Sequence, residues 1–189
     1  MKAGIEAHDL RESWDCIDET LDRYQAVGLM IGGQRDQLGQ IVKQGRADTC
    51  GAVMLAAAMH DAMTGCSDGQ AIIPDYTFTS TGLAPLLTGM TVKLCDVEFD
   101  TANIDTHLIE SLITDKTRAI VPVDYAGHPC HIDKINALAK KHNLVVVHDS
   151  AQSCGSKFQG EYVGRQALVS CFSFHATKNL VTGEGGCPG

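Results

Sequence analysis

The sequence predicts an α/β protein with a mostly parallel sheet flanked by helices. From Ala71 onward, short apolar runs alternate with stretches of helical periodicity, the order that builds a parallel sheet. Two of those runs, Arg118-Ala119-Ile120-Val121-Pro122-Val123 and Leu144-Val145-Val146-Val147, are near-continuously apolar, as strands covered on both faces are. Residues capable of chemistry also gather just beyond such runs, where open α/β sheets hold their ligands. His148-Asp149-Ser150-Ala151-Gln152 follows one run, and Ser173 to Lys178 ends another.

The elements follow in order. Residues 5–26 place Ile5, Leu10, Trp14, Ile17, Leu21 and Tyr24 on one stripe of a helix, so the single tryptophan reads as packing. Residues 28–33 are a Gly-rich break without the Gly-Lys-Ser/Thr of a phosphate loop. A second helix, rich in Ala, Met and Leu, is expected over 52–63. Together these make an N-terminal helical segment, 1–69, ahead of a larger unit, 70–189. That unit opens on the strand Ala71-Ile72-Ile73, ended by Pro74, then a helix over 79–87 and the strand Thr91-Val92-Lys93-Leu94-Cys95. A helix over 104–113 has Asn103 or Asp105 available as its N-cap. The strand 118–123, an amphipathic helix over 132–141, the strand 144–147 and a buried strand over 167–174 complete the alternation. The sequence stops at Gly186-Cys187-Pro188-Gly189, directly after a Gly-rich loop, an odd place for a domain to finish.

Bulk composition excludes several classes. Apolar residues at 44% and charged residues at 20% describe a globular chain. The longest apolar stretch, 52–59, is far too short to span a bilayer, and no signal peptide is visible after Met1. With 23 acidic and 15 basic residues, the net charge of −8 argues against nucleic acid as a partner. The eight cysteines include no C-x-x-C pair, so no zinc ribbon or thioredoxin site is spelled out, and a reduced, cytoplasmic protein is expected. His128-Pro129-Cys130-His131 is the densest cluster of ligand types, but it lacks a second pair at a usual spacing, so no metal is expected.

Lys178 stands in a small-residue loop, Ser173-Phe174-His175-Ala176-Thr177-Lys178-Asn179, closed by Gly183-Glu184-Gly185-Gly186. An amine there is either a surface charge or a group held for covalent chemistry. Asp149 at the neighbouring strand end is equally open, because a buried Asp beside a Lys also serves as a structural ion pair. Phe78, in Pro74-Asp75-Tyr76-Thr77-Phe78-Thr79, reads as core or as a platform for a ring.

Taken together, these segments resemble the DegT/DnrJ/StrS family of pyridoxal-phosphate (PLP) sugar aminotransferases. The resemblance rests on Pro74-Asp75-Tyr76-Thr77-Phe78, Val121-Pro122-Val123-Asp124-Tyr125-Ala126-Gly127, His148-Asp149-Ser150-Ala151-Gln152, and Cys171 to Asn179 with Gly183-Glu184-Gly185-Gly186, in that order over residues 71–186. Ile113-Thr114-Asp115-Lys116-Thr117-Arg118 and Ala137 to Leu144 look most like the branch that makes dTDP-4-amino-4,6-dideoxygalactose. The family implies the large domain of the aspartate-aminotransferase fold (fold type I). It also implies transfer of an amino group from an amino acid, glutamate, to a nucleotide-linked keto-sugar, in a homodimer.

Carried over residue by residue, the resemblance makes Lys178 the Schiff-base lysine that then moves protons. Asp149 would pair with the pyridinium nitrogen, Gln152 would bond the phenolic oxygen, Phe78 would stack on the ring, and Ser173 would bind the phosphate. The family's Ser-Gly-Thr phosphate turn corresponds here to Asp48-Thr49-Cys50-Gly51-Ala52, where the family threonine is missing, Thr49 stands nearby, and the amides of Gly51 and Ala52 at a helix N-terminus would serve. Asp124 stands where some relatives have histidine. Family members are longer and continue past Gly-Glu-Gly-Gly into an antiparallel strand and a small C-terminal domain. The expectation is therefore a truncated large domain, lacking both, with the edge of the strand ending at Phe174 left open. A second reading follows from that: a silent remnant that binds PLP or a protein partner without turnover. An unrelated nucleotide-binding module is disfavoured, because neither G-x-G-x-x-G nor a Walker motif is present.

Overall fold

The structure, a computed structural model, describes residues 69–175, 177–181 and 186–188. The expected helices over 5–26 and 52–63, the break at 28–33 and the segment holding Thr49, Gly51 and Ala52 lie outside the described residues.

The order is β1 (Gln70–Pro74), α1 (Thr79–Leu87), β2 (Thr91–Cys95), α2 (Thr106–Leu112), β3 (Thr117–Ile120), a short 3-10 turn (Tyr125–Gly127), α3 (Ile132–His142), β4 (Val145–Asp149), β5 (Lys157–Phe158), β6 (Glu161–Tyr162), β7 (Val169–Ser173) and β8 (Gly186–Pro188). Six strands form one sheet in the order β2-β1-β3-β4-β7-β8, with every pairing parallel except β7 with β8. The chain leaves β1 towards β2 on one side and leaves β3 towards β4 on the other. That divergence is the switch point at which an open sheet leaves a crevice beyond its strand ends.

The continuous apolar runs are explained by two cores, one on each face. Ala71, Ile73, Ala119, Val121 and Val147 point to the face that also holds Ala84 of α1 and Met90. The residues between them, Ile72, Ile120 and Val146, point to the other face, among Ile109 of α2 and Ile132, Ile135 and Ala139 of α3. Strand alternation therefore puts apolar side chains into both layers, each fully buried isoleucine contributing about 1.5–3 kcal/mol.

Local chemistry sets the element ends. The Asp105 carboxylate caps α2 by accepting from the His107 amide at 2.9 Å. Asn103, the other candidate cap, is instead spent on tertiary bonds: it accepts from the Tyr125 amide at 2.8 Å and donates to the His128 carbonyl at 3.0 Å. Helix α2 starts two residues later than expected because Ile104 pairs with Val97 and is buried. Helix α3 carries Lys140, Lys141 and His142 in its last turn and ends on Asn143 in the left-handed region, φ 53°. Lys141 and His142 both reach Glu110 of α2, at 2.6 and 2.9 Å.

Two features were not anticipated. Strands β5 and β6 form a hairpin around Gln159 (φ 52°) and Gly160 (φ 88°), a two-residue loop with both central φ values positive. The second corrects the open edge expected beyond Phe174. Gly186–Pro188 runs antiparallel to β7, with Ser173 opposite Gly186 and Cys171 opposite Pro188. The start of the antiparallel strand thus lies within the chain and covers that end of β7.

Candidate active site

At the switch point an open cleft of about 560 Å³ receives side chains from four strand ends. Tyr76, Thr77 and Phe78 come from beyond β1, Tyr125 and Ala126 from beyond β3, Gln152 from beyond β4, and Thr177, Lys178 and Asn179 from beyond β7. Of the residues singled out in the sequence, Phe78, Gln152 and Lys178 meet here. Phe78 sits just before α1 and is 54% exposed, so it is no core residue among the described residues. Tyr76 and Tyr125 form one wall, their rings 4.9 Å apart and the Tyr125 hydroxyl 3.1 Å from that of Tyr76. That hydrogen bond, with the tyrosines' mutual charge repulsion, raises the Tyr125 phenol above its usual value.

Asp149 ends β4, is 8% exposed and does not itself line the cleft among the described residues. Its amide donates to the Pro122 carbonyl at 2.9 Å and its carbonyl accepts from the Asp124 amide at 3.2 Å, which fixes it between β3 and β4. Its Oδ2 accepts from the Thr81 hydroxyl at 2.7 Å and its Oδ1 from the Ala151 amide at 3.2 Å. Because Thr81 gives its one proton to Asp149, the 2.8 Å contact between Thr77 and Thr81 is a bond donated by Thr77. Burial raises the Asp149 carboxyl above the ordinary range, opposed by Thr81, Ala151 and the nearby charges of His148 and Lys178. It is a carboxylate that would gain from a cation placed against it.

Gln152 is fixed by backbone. Its Oε1 accepts from the Ala126 amide at 3.0 Å, and Gly127 packs so closely that a Cβ there would meet the Gln152 carbonyl at 3.0 Å. The loop carrying Lys178 is tied at several points. The Lys178 amide donates to the His175 carbonyl at 2.9 Å, Thr177 bonds His175 Nδ1, and Asn179 donates to the Cys154 carbonyl. Lys178 itself is half-buried. Ser173, at the end of β7, accepts from the His175 amide at 3.4 Å and does not line the cleft among the described residues.

The histidine-rich run around Cys130 is pulled apart. His128 and His131 are exposed, His131 lying edge-on to Phe158 at 6.0 Å, whereas Cys130 is buried against His148.

Several contacts of this site carried no signal in the sequence. Thr81 looks like any small residue of a first helical turn, and only the fold brings it to an aspartate 68 residues away. Asn179 and Ala126 stood within quoted motifs, but their bonds to Cys154 and Gln152 likewise depend on the fold. The aromatic pair Tyr76 and Tyr125 stood within quoted motifs, yet their contact depends on β1 and β3 being neighbours.

Comparison with known proteins agrees with this geometry. The model of the DegT/DnrJ/EryC1/StrS aminotransferase family matches residues 42–187. GDP-perosamine synthase of Escherichia coli O157:H7 is 41% identical over 132 residues, covering 68% of this chain and 36% of the enzyme. Among solved structures, PseC of Helicobacter pylori, an aminotransferase of pseudaminic acid biosynthesis, superposes with a TM-score of 0.68 at 34% identity, covering 74% of this chain and 37% of that one. A Streptococcus pneumoniae protein in its PLP form superposes with a TM-score of 0.64 at 31% identity, over 75% and 39% of the two chains. The chain spans about a third of the length of the curated relatives it matches. No helix among the described residues is long and apolar enough to cross a membrane. A match over most of its length, with four strand ends delivering the family's motif residues to one edge, shows that the chain belongs to the DegT/DnrJ/EryC1/StrS aminotransferase family.

Proposed function

We propose that this chain carries the PLP-binding part of an aminotransferase that moves an amino group from an amino acid, glutamate, to a nucleotide-linked keto-sugar. One observation carries the reading: Lys178 lines an open cleft at the end of β4, where Asp149 is a buried carboxylate whose pKa burial raises and the Lys178 charge opposes. That pair suits a ligand with a protonatable ring nitrogen and a carbonyl. When bound, PLP supplies an electron sink for the carbanion formed beside a nitrogen.

The chain's own groups divide the remaining work. Lys178 would supply the amine that holds the cofactor and, once displaced, would carry a proton to and from the carbon beside the substrate nitrogen. Asp149, kept in place by Thr81 and the Ala151 amide, holds a proton on the ring nitrogen. Gln152, its Oε1 already bonded to Ala126, has its NH₂ to offer an oxygen in the cleft. Phe78 offers an exposed ring face for stacking. The Ser173 hydroxyl and the amides of Gly51 and Ala52 are proposed to take the phosphate, the two amides from outside the described residues. In this reading the working form is a cytoplasmic homodimer.

The test uses the whole chain with PLP and L-glutamate. Stoichiometric release of 2-oxoglutarate is expected from the wild type and not from Lys178→Ala. Loss of the keto acid while PLP still binds would remove glutamate as donor and leave the silent-remnant reading.

A further inference from the structure

Beneath the cleft lies a group of polar side chains that the reading above does not use. Asp124, Cys130, His148 and Ser153 are all 2% exposed or less. Asp124 Oδ1 accepts from His148 Nε2 and from the Cys130 amide, each at 2.8 Å, and Oδ2 accepts from the Ser153 hydroxyl at 2.6 Å. The donor atoms of Asp124, Cys130 and His148 lie within 4.8 Å of one another, close enough for a metal ion. The chemistry points elsewhere. Asp124 Oδ1 is already filled by two N–H donors, and burial drives the Cys130 thiol well away from the thiolate a metal needs. These are the bonds of a closed network. His148 Nδ1 has no partner among the described residues, so the ring is held from its Nε2 side alone, by Asp124 and Cys130.

What the network holds is visible in the chain on either side. Asp124 stands two residues before Ala126, and Ser153 directly follows Gln152. Ala126 adopts φ 52°, a left-handed conformation that alanine keeps only when its surroundings impose it. In that conformation its amide meets Gln152 Oε1 at 3.0 Å. The Ser153–Asp124 bond therefore closes a ring that contains the Ala126–Gln152 bond. An amide side chain whose oxygen accepts presents its NH₂ on the other side.

We propose that Asp124 is a positioning residue: it clamps the Tyr125–Gly127 turn to the Gln152 loop through Ser153, so that Ala126 captures Gln152 Oε1 and the Gln152 NH₂ stands fixed in the cleft as a donor to an anionic oxygen. His148 keeps the carboxylate charged and aimed. The identity of that oxygen rests on the functional reading above, as a phenolate of PLP, whereas the clamp does not.

Amide hydrogen exchange on the whole chain without cofactor tests the clamp. In Ser153→Ala and in Asp124→Asn, the Ala126 amide is expected to exchange about tenfold faster than in the wild type. In Ser153→Ala the exchange rate of the Val121 amide, bonded to the Ile72 carbonyl at 2.8 Å in the sheet, should rise less than that of Ala126. In a Gln152→Ala background, Asp124→Asn should add nothing further at Ala126. Unchanged exchange at Ala126 in both variants overturns the clamp, as does an equal rise at Val121 in Ser153→Ala. So does an equivalent of zinc bound by the wild type and lost in Cys130→Ser. A PLP titration forms the second arm: Ser153→Ala should weaken binding and shift the pH midpoint of the visible band. A wild type with no band defeats the functional reading but leaves the exchange result to decide the clamp.

Discussion

The Thr81 hydroxyl donates a 2.7 Å hydrogen bond to Asp149 Oδ2 across 68 residues of sequence. It joins the first turn of α1, which follows Phe78, to the end of β4, which leads to Gln152. A charge-assisted bond of this kind is worth about 1.5–3 kcal/mol, more than a neutral one, because the carboxylate is out of water. Thr81→Val keeps the shape and removes the donor. Urea unfolding at pH 7 should show a loss of about 1.5–3 kcal/mol. A loss under a few tenths would mean that the bond does not hold Asp149.

Asp149 and Asp124 should respond to pH in opposite senses. Burial raises the Asp149 carboxyl above 3.8, so the folded chain binds its proton more tightly than the unfolded chain does. Its contribution is fully present below pH 3.8 and is lost as pH rises through the folded value. Asp149→Asn should therefore make the cofactor-free chain more stable than the wild type at pH 7, and the gain should vanish near pH 3. The same variant should lose PLP binding. A variant less stable at pH 7 would show that the carboxylate is better compensated than its burial implies.

For Asp124 burial also favours the neutral form, but the His148 bond and charge, the Ser153 hydroxyl and the Cys130 amide outweigh it and lower the carboxyl below 3.8. This stability is present above pH 3.8 and is lost as pH falls through the folded value. Asp124→Asn removes the charged acceptor that His148, the Cys130 amide and Ser153 bond to, and should cost about 1.5–3 kcal/mol at pH 7. Denaturant midpoints at pH 7 and pH 3 measure it, and a cost independent of pH would contradict this assignment.

Two glycines separate strain from crowding. Gly127 (φ 81°) and Gly155 (φ 84°) both lie in the left-handed region. A Cβ at Gly155 meets nothing within 4 Å, whereas at Gly127 it meets the Gln152 carbonyl at 3.0 Å. Gly155→Ala should cost about 1 kcal/mol from backbone strain alone. Gly127→Ala should cost about 1–2 kcal/mol more and weaken PLP binding by moving Gln152. Equal melting temperatures for the two variants would show that the Gln152 contact carries no energy.

Much of the fold was legible because its punctuation is local. Pro74, the Thr88-Gly89 break and alternation onto two cores bound β1, α1 and β2, and the helix expected over 79–87 is α1. The start of α2 was misread because Ile104 continues the helical period but is drawn into a bridge with Val97. The β5–β6 hairpin turns on Gln159-Gly160, which lacks the Asn-Gly or Asp-Gly of a strong hairpin signal. Within the site, the motifs identified Phe78, Asp149, Gln152 and Lys178, all near the ends of apolar runs. Thr81 was not readable as part of it, and although Ala126, Asn179, Asp124 and His148 stood in the motifs, their contacts were not, since each exists only once distant segments meet.

The most direct test is to trap the cofactor on the lysine. The whole chain is mixed with PLP, reduced with borohydride and digested, and the modified peptide is identified by mass spectrometry. The account predicts a visible band before reduction, one pyridoxyl group per chain on Lys178, and none on the Lys178→Ala variant. An adduct spread over surface lysines, or one that survives Lys178→Ala unchanged, would contradict it.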